Sequence, residues 1–314
     1  MTFNIIYTPH TVDKLYLFTL SLMDQSSFRF RLVVNGCEDG ETRFLERFAE
    51  QYPERLSVLR YPSEGMRPHY EVLDYLQGNE SEPFFAFMDS DILALGNWTD
   101  LLQEELHGAD ALFSGRPVWS PTARRPPVRK KAAGRFMVDT DGFCLGGTYF
   151  AVYNNDILNR VRERFGVGFE NRWWKELPES ISKILKDLGR RFERYDNGKV
   201  INILMQSLGH RCGYTEDLRL CHFGGMSRFN TVLGRDKEKL KAHEKHRQGQ
   251  KDMRMIASFM SQAIAKIKKE ESIEIPAEIR NHFAQYEVAS SIKELRRIRE
   301  KYREVSEWIE KDQI

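Results

Sequence analysis

The chain has 314 residues, 41% of them hydrophobic and 12% aromatic, with a formal net charge of +2. That length suits one large domain, or a domain of about 220–240 residues with an appendage, and the composition supports a sizeable core. The charge balance does not indicate a nucleic-acid binder, no run reaches the roughly 18–20 apolar residues that span a bilayer, and Met1-Thr2-Phe3-Asn4-Ile5-Ile6 lacks a basic segment followed by a long apolar one, so a cytoplasmic protein is expected.

Residues 3–8 read as a first strand, ended by Pro9 and His10. Thr11 or Asp13 can open a helix, because Leu15, Phe18 and Leu22 recur at three- and four-residue steps. A second strand over 30–34 ends at Asn35-Gly36, and a helix over 41–51 turns Phe44, Leu45 and Phe48 inward. Leu56 to Leu59 is a third strand, ended by Pro62, and a helix follows near 68–77. Strand–helix alternation with short loops predicts a parallel sheet with right-handed crossovers.

The fourth strand is Phe84-Phe85-Ala86-Phe87-Met88, followed at once by Asp89-Ser90-Asp91. A short unbroken apolar run fits a strand buried on both faces. Ligands of open α/β sheets sit beyond the carboxyl ends of the strands. Two carboxylates at that edge can hold a hard divalent cation, and such a cation can neutralise a diphosphate. The plainer role for either aspartate is to cap the next turn. The chain has no G-x-G-x-x-G and no G-x-x-x-x-G-K-[ST], which disfavours a dinucleotide fold and a P-loop.

A short helix is expected over 98–106 and a strand over 111–114. Residues 116–136 hold seven Arg and Lys residues, four prolines and no acid, and read as a long loop. The loop is either a solvated basic segment or a clamp over phosphates. Phe143 to Tyr153 reads as a strand that contains Gly146-Gly147. Helical patterning returns at 155–165 and near 178–188. Trp173-Trp174 is expected first as core, and second as a surface on which a sugar stacks. Asp196, in Tyr195-Asp196-Asn197-Gly198, suits either the N-cap of the helix starting near Val200 or a general base. His222 ends an alternating apolar run before Gly224-Gly225, a good setting for a ligand. Cys37, Cys144, Cys212 and Cys221 form no C-x-x-C pair and read as free thiols.

From about 235 the composition turns to Lys, Glu and Arg. Met253, Ile256, Met260, Ile264 and Ile267 lie at helical spacing, and Leu295, Ile298, Tyr302, Val305 and Ile309 at the 3-4-3-4 spacing of a short seam. The seam packs on its own chain in the first reading. In the second it makes a homodimer or a peripheral contact with the inner face of a membrane. The expected organisation is a domain over 1–229, with the basic loop at 116–136 and a helical insertion at 160–195, and a helical extension over 230–314.

In this order, Phe87-Met88-Asp89-Ser90-Asp91, Gly146-Gly147 and Leu220-Cys221-His222-Phe223-Gly224-Gly225 make residues 3–228 resemble the GT-A-fold glycosyltransferases, nearest to the bacterial polysaccharide-building enzymes. The resemblance implies an α/β fold with a mostly parallel sheet flanked by helices. It also implies a UDP- or GDP-sugar donor, a glycan or lipid-linked acceptor, and Mn²⁺ or Mg²⁺ on the diphosphate. By position, Asp91 and His222 would bind the metal, and Asp89 the metal or the ribose, with Ser90 beside them. Thr8, Pro9, Asn35 and Glu38 would hold base and ribose, Arg67 would reach the diphosphate, and Gly146 and Gly147 would line the donor sugar and acceptor. Asn35 stands where the family usually has aspartate, and Asp196 takes the place of its Glu-Asp pair as base.

Two other readings compete. A nucleotidyltransferase should carry a glycine-rich basic loop after the first strand, where this chain has Thr8-Pro9-His10-Thr11. A non-catalytic scaffold explains the seam but not the order of Asp89, Asp91 and His222.

Overall fold

The computed structural model describes residues 1–120, 122–124, 136–229, 231, 236–244, 248–283 and 287–311. Most of the basic loop, residues 125–135, lies outside the described residues. The first part of the chain is β1 (Thr2–Tyr7), α1 (Val12–Asp24), β2 (Arg29–Val34), α2 (Asp39–Gln51), β3 (Leu56–Arg60), α3 (His69–Gly78) and β4 (Phe84–Asp89). Then come β5 (Ile92–Ala94), α4 (Thr99–Leu106), β6 (Ala111–Ser114), β7 (Phe150–Asn154) and α5 (Asn155–Phe165). The insertion carries β8 (Arg172–Trp173), α6 (Glu179–Asp187) and β9 (Arg194–Tyr195). It is followed by α7 (Lys199–Ser207), β10 (Cys212–Tyr214), β11 (Leu220–His222) and α8 (Met226–Arg228). The extension holds α9 (Lys237–Glu244), α10 (Gln248–Lys268), α11 (Ala277–His282), α12 (Val288–Lys301) and α13 (Arg303–Lys311).

The main sheet has the order β10-β6-β7-β4-β1-β2-β3. β1 pairs in parallel with β2 and β4, and β2 with β3. β7 runs against both its neighbours, β4 and β6. The registers Tyr7↔Val34, Val34↔Arg60 and Ile6↔Asp89 bring the carboxyl ends of β1 to β4 to one edge.

Side chains alternate between two cores, as the two-residue strand period requires. Phe3, Ile5, Tyr7, Phe30, Leu32, Ala86 and Met88 face one core with α1 and α2. Ile6, Val33, Phe85, Phe87, Ala151 and Tyr153 face the other, with Val72 and Leu73 of α3, Leu158 of α5 and Ile201 of α7. Each fully buried Val, Leu, Ile, Phe or Met among them contributes about 1.5–3 kcal/mol.

The extension packs into the first core. Ile256, Met260, Ile264, Leu295 and Ile298 are buried there with Leu15 and Phe18. The expected seam therefore lies on its own chain for Leu295, Ile298 and Val305, while the side chain of Ile309 is outside the described ones. Its helix is also not continuous: the chain leaves helical geometry at Tyr302, between α12 and α13. Asp24 at the end of α1 receives Arg297 at 2.5 Å, Tyr302 at 3.0 Å and the ammonium of Lys301. Trp308 stacks on Phe44 of α2 at 5.8 Å.

Three further expectations are corrected. The strand drawn over 143–153 begins only at Phe150. Before it the chain folds back on 136–139: the amides of Leu145 and Gly146 both donate to the Met137 carbonyl, and Gly146 takes φ +64°. The N-cap of α7 is Gly198 at φ +71°, without a side-chain cap, so Asp196 is not the cap. Trp173 is not core, since 47% of it is exposed.

Candidate active site

Asp89 is the last residue of β4, and Asp91 immediately precedes β5. β5 pairs antiparallel with β11 in the register His222↔Ile92. The ladder continues one step further, with the Phe223 amide donating to the Asp91 carbonyl at 3.1 Å. Backbone pairing alone thus puts His222 beside the two aspartates. Its Nε2 lies 3.3 Å from Asp89 Oδ2 and 3.2 Å from Asp91 Oδ1. One ligand atom from each of the three lies within 4.8 Å of the others. Asp91 and His222 are buried, while the Asp89 side chain is 29% exposed and opens the site to solvent.

Each member is held by backbone. The other oxygen of Asp91 accepts from the Met226 amide at 3.1 Å, at the start of α8. Gly225 must precede that amide at φ +91°, and a Cβ on it would lie 2.5 Å from Met253. The Asp89 amide donates to the Tyr149 carbonyl at 2.7 Å. His222 donates from Nδ1 to the Gly115 carbonyl, and the Tyr149 ring lies against the imidazole at 4.8 Å. Its own carbonyl takes the Val118 amide at 2.8 Å.

A carbonyl only accepts, so Nδ1 carries a proton and Nε2 is the end that faces the carboxylates. Nε2 is buried and makes no hydrogen bond. The residues therefore fit a divalent cation: a lone pair on a histidine oriented by a carbonyl, and two carboxylates opposite it. Without a cation, burial disfavours the imidazolium, but the two carboxylates outweigh it and push the His222 pKa up to about 10.

The sequence did not single out His69, at the start of α3. Its Nε2 makes no hydrogen bond and lies 3.8 Å from Asp89 Oδ1. Burial lowers its pKa, and Asp89 and Asp196 act the other way, so both carboxylates are within its electrostatic reach. Asp196 also acts on Lys199 and Arg228, and Arg228 senses Tyr149 as well. His69 thus lies beside the triad, next to Asp89. The side chain of Asp196 is 45% exposed, with the Arg194 guanidinium 3.7 Å away.

The other expected residues divide into two groups. Thr8, whose Oγ1 has no hydrogen-bond partner, and Pro9 lie at the end of β1 on the same edge. Ser90 is buried between the two aspartates. Glu38 meets His10 at 3.4 Å and forms a capping box with Glu41. Glu41 also accepts from the Thr11 amide at 3.1 Å, so a carboxylate already fills the amino end of α1. Asn35 is committed to the protein: its amide donates to the Arg67 carbonyl at 3.0 Å and its oxygen accepts from the Arg67 amide at 2.8 Å. The Arg67 guanidinium pairs with Glu71 at 2.7 Å. The space beside the glycine pair is filled by protein. A Cβ would lie 2.3 Å from Asn202 Nδ2 at Gly146, and 2.3 Å from Met137 Sδ at Gly147. The Gly146 carbonyl accepts from buried Lys199.

No protein-family model matches the chain, and no curated protein does. Among solved structures it is similar to the mannosyltransferase PcManGT from Pyrobaculum calidifontis, in complex with GDP-Man and Mn²⁺. The identity is 11%, the TM-score 0.42, and the match covers 99% of this chain and 85% of that one. It is also similar to the galactosyltransferase LgtC with donor and acceptor sugar analogs, at 10% identity and TM-score 0.43, covering 90% and 100%. A glucose-1-phosphate thymidylyltransferase from Bacillus anthracis matches at 11% and TM-score 0.41, covering 79% and 97%. Other glycosyltransferases also stand among the similar structures.

Proposed function

We propose that the chain is a metal-dependent glycosyltransferase. It moves a hexosyl group from a UDP- or GDP-sugar to a hydroxyl of a glycan or lipid-linked acceptor, with inversion at the anomeric carbon. The observation that carries this reading is His222 Nε2, buried without a hydrogen bond and aimed at Asp89 and Asp91 on the carboxyl edge of the sheet. Asp89, Asp91 and His222 would hold a divalent cation, which when bound would supply charge stabilisation for the departing nucleoside diphosphate. The imidazole nitrogen in the set favours Mn²⁺ over Mg²⁺, which prefers oxygen and keeps its waters.

Asp196 takes the proton of the acceptor hydroxyl. Its carboxylate is accessible and not engaged in capping. Arg67 is paired with Glu71, so Arg228 of α8 is the cation proposed for the diphosphate. Thr8, Pro9 and Glu38 would hold base and ribose, and Asn35, by fixing Arg67, would shape that end. Four free cysteines suit a reducing compartment, and no helix among the described residues is long and apolar enough to cross a membrane.

The test is thermal unfolding with UDP-, GDP-, CMP- and TDP-sugars, with and without Mn²⁺. One nucleotide class should raise the midpoint only with metal, by an amount equivalent to about 2.7 kcal/mol at a hundredfold excess over Kd. Turnover should release a nucleoside diphosphate. No rise with any class removes the donor reading, and release of pyrophosphate reassigns the chain to nucleotidyl transfer.

A further inference from the structure

Among the described residues, only Met66 and Trp173 are large hydrophobic side chains that stand exposed. Scattered exposed apolar residues are ordinary on a protein surface. Met66 sits on the loop pinned by Asn35, where its backbone packs so closely on Gly36 that a Cβ there would lie 2.2 Å from the Met66 nitrogen. Trp173 instead stands beside Arg194, whose guanidinium lies 3.7 Å from Asp196.

The Trp173 side is rigid. β8 and β9 pair in the register Trp173↔Arg194 and Arg172↔Tyr195. Tyr195 is fully buried and donates its hydroxyl to the Arg190 carbonyl at 2.8 Å. The Trp174 amide donates to the Glu193 carbonyl at 2.9 Å, and the Gly198 amide to the Phe169 carbonyl at 3.0 Å. The hairpin is thus anchored on both sides while one indole is left in solvent at 47% exposure. The Arg194 guanidinium lies 5.8 Å from the Trp173 ring centre and 3.7 Å from Asp196. The three side chains form a row: an aromatic face, a planar set of donors, then a carboxylate.

We infer that this row is the acceptor subsite and that its occupant is a pyranose ring of a saccharide. A pyranose presents a face of C–H groups that suits the electron-rich face of an indole. Its edge presents hydroxyls, which both donate and accept. Arg194 supplies donors to that edge, and Asp196 accepts from the hydroxyl that reacts. A ring stacked on Trp173 is thereby oriented with a hydroxyl toward the proposed base. The inference rests on the glycosyltransferase reading and narrows its acceptor to a carbohydrate.

The experiment uses the full chain. Saturation-transfer NMR and calorimetric titration are run with the methyl pyranosides of glucose, galactose, mannose and N-acetylglucosamine and with their β1,4-linked disaccharides. Mannitol and sorbitol serve as open-chain controls. At least one cyclic saccharide should bind with its ring protons saturated, and the open-chain controls should not bind. Trp173→Ala should weaken that binding at least tenfold, and Trp173→Phe less, with near-UV circular dichroism confirming an unchanged fold. Absence of binding by every cyclic probe, or equal binding by Trp173→Ala, overturns the inference. The Mn²⁺-dependent nucleotide response of the unaltered protein is measured beside it. Loss of that response refutes the donor reading, whereas a normal response with no saccharide signal refutes only the acceptor subsite.

Discussion

His222 and Asp91 face each other at 3.2 Å because two three-residue strands, β5 and β11, pair in one register. Removing either side chain should therefore disable the metal site without moving the backbone that builds it. In Asp91→Ala the Met226 amide loses its acceptor and His222 is left with Asp89 alone. Breaking a buried charged pair costs about 3–5 kcal/mol, which a urea titration without metal should reveal. The Mn²⁺-dependent rise in midpoint should vanish in Asp91→Ala and in His222→Gln. A rise as large as that of the unaltered protein in either variant would rule out the site.

Much of this was legible in the sequence, for identifiable reasons. β1 to β4 and their helices were readable because the strands are short apolar-rich runs, unbroken in β4, and the helices between them carry apolar residues at three- and four-residue steps. Asp89, Asp91 and His222 were readable because Asp89 and His222 each end an apolar stretch and Asp91 stands two residues past the first. β5 was not, since a strand of three residues carries no period to detect. The packing around Gly146 and Gly147 was not legible. A glycine that admits a ligand and one that admits Asn202 or Met137 look alike in sequence, and here the protein itself fills the space. His69 gave no signal of its own, because only the meeting of α3 with the end of β4 makes it a neighbour of Asp89.

Asp196→Asn tests the proposed base. The carboxylate is accessible and does not cap α7, so the substitution should leave the fold intact. Turnover should fall by about 10²–10⁴, the usual contribution of a positioned base. The Mn²⁺-dependent response to the donor should persist, because Asp196 is not a ligand of the cation. Unchanged turnover in a folded Asp196→Asn protein would shift the base role to another group.

Asn35 should not tolerate aspartate, although aspartate is usual at this position in the family the sequence resembles. Its Nδ2 donates to the Arg67 carbonyl at 3.0 Å. In Asn35→Asp a carboxylate oxygen would face that carbonyl, and two acceptors would meet in a buried spot. The expected loss is about 1–3 kcal/mol by urea titration. The 62–67 loop should become more open to proteolysis, and nucleotide binding should weaken with it. Equal stability and equal protease resistance would show that this bridge does not hold the loop.

Asp24 links α1 to the extension, and its titration should report that docking. Burial alone raises its pKa, but hydrogen bonds from Lys301, Arg297 and Tyr302 outweigh it and hold the carboxyl below its ordinary value. A carboxyl held lower in the folded state stabilises the protein above its unfolded pKa of about 3.9, and that contribution is lost as pH falls through the folded pKa. Urea midpoints followed from about pH 6 down to about pH 3 should therefore drop more steeply for the unaltered protein than for Asp24→Asn. Near neutral pH the variant should be the less stable of the two. Its extra proteolysis should map to α12 and the α13 that follows it, because α12 loses the ion pairs that tie it to α1. Parallel pH profiles for the two proteins would mean that apolar packing of Leu295 and Ile298 holds the extension without help from Asp24.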